Sequence, residues 1–188
     1  MKKRICMLLA LTLCLSVSAY AEKTVKGSFG GKDMFSIRYD ETRFQFDDEY
    51  YDDMNTKLSE WQFMIWKDDV AVTCTVEYWR EWENYSTFQA SEEENMNYFK
   101  TVMEESYSDC ETQFIETYLV GVTNGKASAA LPFLIYTVEY SEGDITYFAE
   151  TVTHGYSVYF EVFDDVEANE KVNCLQLLHE ILDTFQPL

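Results

Sequence analysis

Apolar and polar residues alternate along much of this chain, which is the period of half-buried β-strands. Phe35, Ile37 and Tyr39 alternate with polar neighbours, and Phe44 and Phe46 give a shorter echo after a turn at Asp40-Glu41. Trp61, Phe63 and Ile65 run up to Lys67-Asp68-Asp69, and Val70, Val72, Cys74, Val76 and Tyr78 run back. That pair reads as a hairpin. The period then changes to that of a helix. Ser91 and Glu94 form a capping box, with Glu92 and Glu93 in the acid-favouring first turn. Met96, Phe99, Val102, Met103 and Ser106 recur at helical spacing, and the helix is expected to end near Ser108.

Strands resume after Cys110. Asn124-Gly125, whose residues tolerate positive φ, is expected to join a strand over 113–122 to one beginning near Lys126. Pro132 suggests a break or an edge. Phe133 to Tyr140, Ile145 to Thr153 and Tyr156 to Phe163, separated by Glu142-Gly143-Asp144 and His154-Gly155, read as a three-stranded meander. A closing helix is expected from a cap at Asp164, with Glu167 three residues on. Its buried face would carry Ala168, Val172, Leu175, Leu178, Leu182 and Phe185, and Pro187 comes just past its end. The expectation is an α+β domain. It would have an antiparallel sheet of about six to seven strands with amphipathic helices packed on its faces.

This order of elements resembles the PsbP-like family, named for the extrinsic subunit of photosystem II. The opening "FSIRYDETRFQF", a central helix, hairpin strands and the closing "ILDTFQPL" carry the resemblance. It implies an α/β/α sandwich and a non-enzymatic protein that assists or stabilises a protein assembly. No short motif matches, so no functional residue carries over.

The N-terminus changes the picture of where the protein works. Lys2, Lys3 and Arg4 precede an apolar stretch from Ile5 to Val17, and Ala19-Tyr20-Ala21 offers small residues at −3 and −1. Residues 1–21 therefore read as a cleavable signal peptide, with residues 22–188 as one domain. The apolar run falls short of the ~20 residues of a spanning helix, and no later run has that length. The mature domain is thus expected to be secreted or extracytoplasmic (periplasm or cell exterior), without a transmembrane anchor. The short basic signal suits a bacterial source.

Charge narrows the partners. The chain has 34 acids against 14 basic residues, a net charge of −20, and loss of the signal removes three basic residues and no acid. Such a charge repels phosphate backbones and anionic membranes, so nucleic acid is excluded as a partner. With 47% hydrophobic and 16% aromatic residues, the chain has ample material for a packed core. Three of the five cysteines, Cys74, Cys110 and Cys174, lie beyond the signal. An odd count forbids a full disulfide framework. Cys74 and Cys174 read as small core residues, and one bridge involving Cys110 stays open.

Two segments are candidate sites. Asp47, Asp48, Glu49, Asp52 and Asp53 form the densest acidic cluster, and clustered carboxylates can supply the oxygens Ca²⁺ wants. The EF-hand spacing is absent, and a solvated acidic loop is the competing reading. Tyr78, Trp79, Trp82 and Tyr85 form an aromatic run interleaved with charge, suited to anchoring a protein partner. Its competing reading has alternate residues facing the core. His154 and His179 read as ordinary surface histidines: there is no G-x-S-x-G elbow and no second histidine after His179-Glu180. The sequence thus points to an exported, non-catalytic binding or accessory protein of the cell envelope or extracellular space. Its partner would be an unknown envelope or extracellular protein, or a small ligand. A divalent-cation-binding secreted protein and an enzyme of unrecognised type are the alternatives.

Overall fold

The computed structural model describes residues 22–47, 59–68, 70–78, 93, 96–97, 100, 107–121, 131–141, 143–153, 155–164 and 172–188. Its strands are β1 (Glu22–Phe29), β2 (Lys32–Asp40), β3 (Gln45–Asp47), β4 (Ser59–Lys67), β5 (Val70–Tyr78), β6 (Glu111–Val120), β7 (Leu131–Glu139), β8 (Ile145–Thr153), β9 (Tyr156–Asp164) and β10 (Gln186–Pro187). One helix, α1 (Cys174–Leu182), lies between β9 and β10. The strands form two antiparallel sheets. The small one has the order β1-β2-β10, and the large one β3-β4-β5-β9-β8-β7-β6.

This overturns the expected α+β sandwich with amphipathic helices on the faces of its sheet. The described residues are mostly strand; α1 has nine residues, and beside it only four scattered described residues are helical. The inner face of the large sheet is covered by the small sheet together with α1, which touches β2, β8 and β9. The closing helix is short because β9 runs through Asp164, the residue expected to cap it. Asn173 is the cap instead, its side chain accepting from the Gln176 N–H at 2.9 Å. Leu178 and Leu182 are buried on its face as the periodicity predicts, while Pro187 lies in edge strand β10 opposite Phe35. Of the earlier helix, Glu93, Met96, Asn97 and Lys100 are helical, and all four are exposed, including Met96. Tyr107 and Ser108, at its expected end, form a turn, and the rest of that segment and Asn124-Gly125 lie outside the described residues. Pro132 does not break β7; it is the second residue of that strand, paired with Leu119.

Alternation explains the packing. Val72, Cys74 and Val76 of β5, Phe133 and Ile135 of β7, and Val158, Phe160 and Val162 of β9 point inward with Phe35 and Ile37 of β2. Cys74 and Cys174 are buried in this core. Leu134, Tyr136 and Val138, the intervening residues of β7, bury a second cluster on the outer face with Phe148 and Val152. Burial on both faces accounts for the unbroken apolar run in β7.

The centre of the inner core is aromatic. Phe35 stacks on Phe185 at 4.9 Å and meets Phe160 at 6.2 Å and Phe63 at 6.4 Å. Gly27 sits opposite Phe35 in the β1–β2 register, and a Cβ added there would overlap the Phe35 ring. Gly27→Ala is therefore expected to cost about 1–3 kcal/mol, the range for overpacking a filled core. A denaturant titration of Gly27→Ala in wild-type and Phe35→Leu backgrounds checks this. The penalty shrinks in the second background if the ring is the obstacle, and an equal penalty in both would place the cause elsewhere.

Candidate functional site

Of the nine residues in the two candidate segments, the structure describes Asp47 and Tyr78. Asp47 is the last residue of β3, half-buried and paired in register with Met64. Asp48, Glu49, Asp52 and Asp53 lie outside the described residues. Tyr78 ends β5, where its ring packs against Phe29 at 6.4 Å and Tyr156 at 5.2 Å. It is thus tied into the sheet's own aromatic packing. Trp79, Trp82, Tyr85 and His154 also lie outside the described residues. No group of three or more His, Cys, Asp or Glu side chains among the described residues is placed to hold a metal ion. No helix among them is long and apolar enough to cross a membrane.

The structure brings together a site that the sequence does not announce. The small sheet touches the large one at β4 and β5, and α1 packs on β8 and β9. Among the described residues, the inner face is therefore least covered where β6 begins and β7 ends, and a groove of about 340 Å³ lies there. Two cross-strand rows make its floor. Glu111 of β6 faces Glu139 of β7, which faces Ile145 of β8; one step on, Gln113 faces Thr137, which faces Tyr147. Ile115 joins the lining where β6 bulges between Phe114 and Glu116, and Asn173 and Leu175 close the groove from the start of α1. Like charges directly opposite on adjacent strands repel. Among the described residues, no cation pairs with either Glu111 or Glu139.

Two other concavities flank Arg43, and there the cations are already matched. Arg43 donates to Glu180 at 2.7 Å, Lys67 reaches the same carboxylate at 3.1 Å, and Arg38 lies 3.4 Å from Glu22. On the nearby helix, the His179 Nε2 lies 2.8 Å from Glu116, and its ring stacks on Tyr118 at 4.5 Å. Tyr118 donates to Asp183, and burial with that hydrogen bond pushes its phenol up to about 12. Stack and polar contact hold His179 as a structural link between α1 and β6.

A second polar group is buried on the outer face. Glu150 of β8 accepts from the Ser157 hydroxyl at 2.7 Å and from the Tyr136 hydroxyl at 3.2 Å, while Tyr159 donates to Glu77 at 3.3 Å. Burial raises the Glu150 carboxyl above its ordinary range, its two hydrogen bonds oppose the rise, and the Glu77 charge adds to it. Burial raises Glu161 likewise. Ser157 is 1% exposed. A hydroxyl so enclosed and already donating to a carboxylate has no path to a substrate.

No protein-family model matches the chain, and no curated protein sequence matches it either. Among solved structures, the chain is similar to the solution structure of cyanobacterial PsbP (CyanoP) from Synechocystis sp. PCC 6803. That alignment covers 92% of this chain and 96% of the other, at 12% identity and a TM-score of 0.49. A likeness of that degree says nothing about activity or partner.

Proposed function

We propose that this chain is an exported, non-catalytic binding or accessory protein that works outside the cytoplasm, and that its contact surface is the open groove on β6–β8. The observation that carries this reading is the groove itself. Among the described residues, the half-buried apolar side chains of Ile115, Ile145, Tyr147 and Leu175 line a concavity beside two opposed, exposed carboxylates. Concave apolar surface with a few convergent polar groups is the usual form of a ligand site. The N-terminal signal pattern supports the location, and the high negative charge supports a partner that is not a nucleic acid.

Thr137 lies in the middle of the groove floor and is half-buried, so Thr137→Trp fills the groove from within. Random peptides displayed on phage and selected on the wild-type protein are expected to bind Thr137→Trp at least about tenfold more weakly, a difference of roughly 1.4 kcal/mol. Equal binding to both proteins, with the variant still folded by its circular dichroism, would remove the groove as the contact surface.

A further inference from the structure

We infer that the occupant of this groove is an extended, basic segment of a partner protein, whose lysine or arginine side chain lies along the apolar floor and reaches Glu111 and Glu139. This inference rests on the groove being the contact surface and adds the chemistry of what fills it.

Three observations select that chemistry. The first is charge. Glu111 and Glu139 are direct cross-strand partners, and both are exposed. Two carboxylates held opposite one another repel until a cation comes between them. The cations near the other two concavities are already bound by Glu180 and Glu22, whereas this groove sets two opposed acids beside apolar side chains with no basic residue in its lining. The second is shape. The row behind the two acids contains Tyr147, with Leu175 closing the groove. Long basic side chains bury their methylene stems on such surface while the charged end stays with its partner. A compact metal ion would use none of it, and no three-ligand group is present among the described residues.

The third is the edge. Among the described residues, β6 pairs on one side only, with β7. Along Glu111 to Gln113 the outer edge of β6 runs beside the groove, where an added strand can pair with its backbone. In an extended segment alternate side chains point to one face, so every second residue of the occupant would face the groove. The bulge at Ile115 interrupts the ladder, which confines pairing to the stretch nearest Glu111. A net charge of −20 draws a basic segment in from a distance and makes its capture faster at low salt.

The test uses a hexapeptide of alternating lysine and valine, with serine–valine and glutamate–valine versions, titrated into the purified full-length protein at about 0.15 M salt, where exposed long-range charge is largely screened. The lysine peptide is expected to bind, the glutamate peptide not to bind, and the double variant Glu111→Gln/Glu139→Gln to weaken the lysine peptide at least about tenfold. That variant removes a repulsion and so should fold at least as well as the parent. Glu41→Gln/Asp68→Asn, an equal change of charge beside Arg43, should leave binding within about twofold. An equal loss in both double variants would mean that the peptide senses net charge alone, and the inference fails. Equal binding of the serine and lysine peptides, both abolished by Thr137→Trp, would keep the groove and overturn the basic occupant. Binding indifferent to Thr137→Trp would overturn the groove reading itself.

Discussion

Replacing Phe35 with alanine is expected to lower the stability of the fold by about 3–5 kcal/mol, the range for deleting a buried aromatic ring. Phe35 is 1% exposed, and it touches every layer of the inner core. It comes from β2 in the small sheet, stacks on Phe185 after α1, and meets Phe63 of β4 and Phe160 of β9 in the large sheet. It also roofs Gly27, so no neighbouring side chain can swing into the cavity from β1. For a domain of this size each kcal/mol moves the melting temperature by roughly 2–4 °C, which puts the expected fall near 6–20 °C. The comparison is Phe163→Ala. Phe163 is 54% exposed, and a surface substitution should stay within about 0.5 kcal/mol. Guanidinium unfolding of both variants decides it. A loss below about 1.5 kcal/mol for Phe35→Ala would mean that the two sheets are joined chiefly by other contacts.

Much of the strand order is legible in the sequence, and the reasons are local. The β4–β5 hairpin and the β7–β8–β9 meander have strict alternation, and their turns have residues suited to positive φ: Asp68 at 50°, Gly143 at 86° and Gly155 at 83°. Other elements give weak signals. β1 reads EKTVKGSF, an edge strand with a single fully buried position, and that position is a glycine. No apolar period marks it. β10 has two residues, one of them Pro187, and exists only because Phe185 is anchored beside Phe35. The closing helix starts later than its pattern suggests: Asp164 with an acid three residues on matches a cap, whereas β9 uses that residue to pair with Ile145. Tertiary pairing overrode a local preference.

The groove is not legible, for a different reason. Glu111 and Glu139 are far apart in sequence and meet only through the register of β6 on β7. The bulge at Ile115 shifts that register by one residue, and a one-residue shift exchanges the faces of a strand. Nothing in the alternation of β6 fixes where the bulge falls. The same holds for Glu77, Glu150 and Glu161. Each occupies a polar position in an alternating strand, which sequence reads as facing solvent. In fact Glu77 and Glu161 are half-buried and Glu150 is 5% exposed. Local pattern gives the face; only the packed molecule says whether that face meets water.

That buried carboxyl gives the second large effect. Glu150→Gln is expected to stabilise the protein at neutral pH and to flatten its dependence on pH. The Glu150 carboxyl has its pKa raised above the ordinary 4.5 in the folded state, chiefly by burial, so the folded protein binds the proton more tightly than the unfolded chain. Stability is then greatest below the ordinary value and falls as pH rises through the raised folded one. Glu161 shifts in the same direction and steepens the fall. Holding an ionised carboxylate out of water costs several kcal/mol even after relaxation. Glutamine keeps an oxygen for one of the two hydroxyls, offers its NH2 to the other, which then accepts, and carries no charge to desolvate. Self-repulsion of a chain at −20 also favours lower pH, and salt separates the two causes, since it screens exposed charges and leaves a buried one almost untouched. In about 0.5 M salt, wild type should melt several degrees higher at pH 5 than at pH 8, while Glu150→Gln should change less and melt above wild type at pH 8. Parallel curves for the two proteins would mean that Glu150 keeps its ordinary titration in the fold, and that the outer face admits water to its carboxylate.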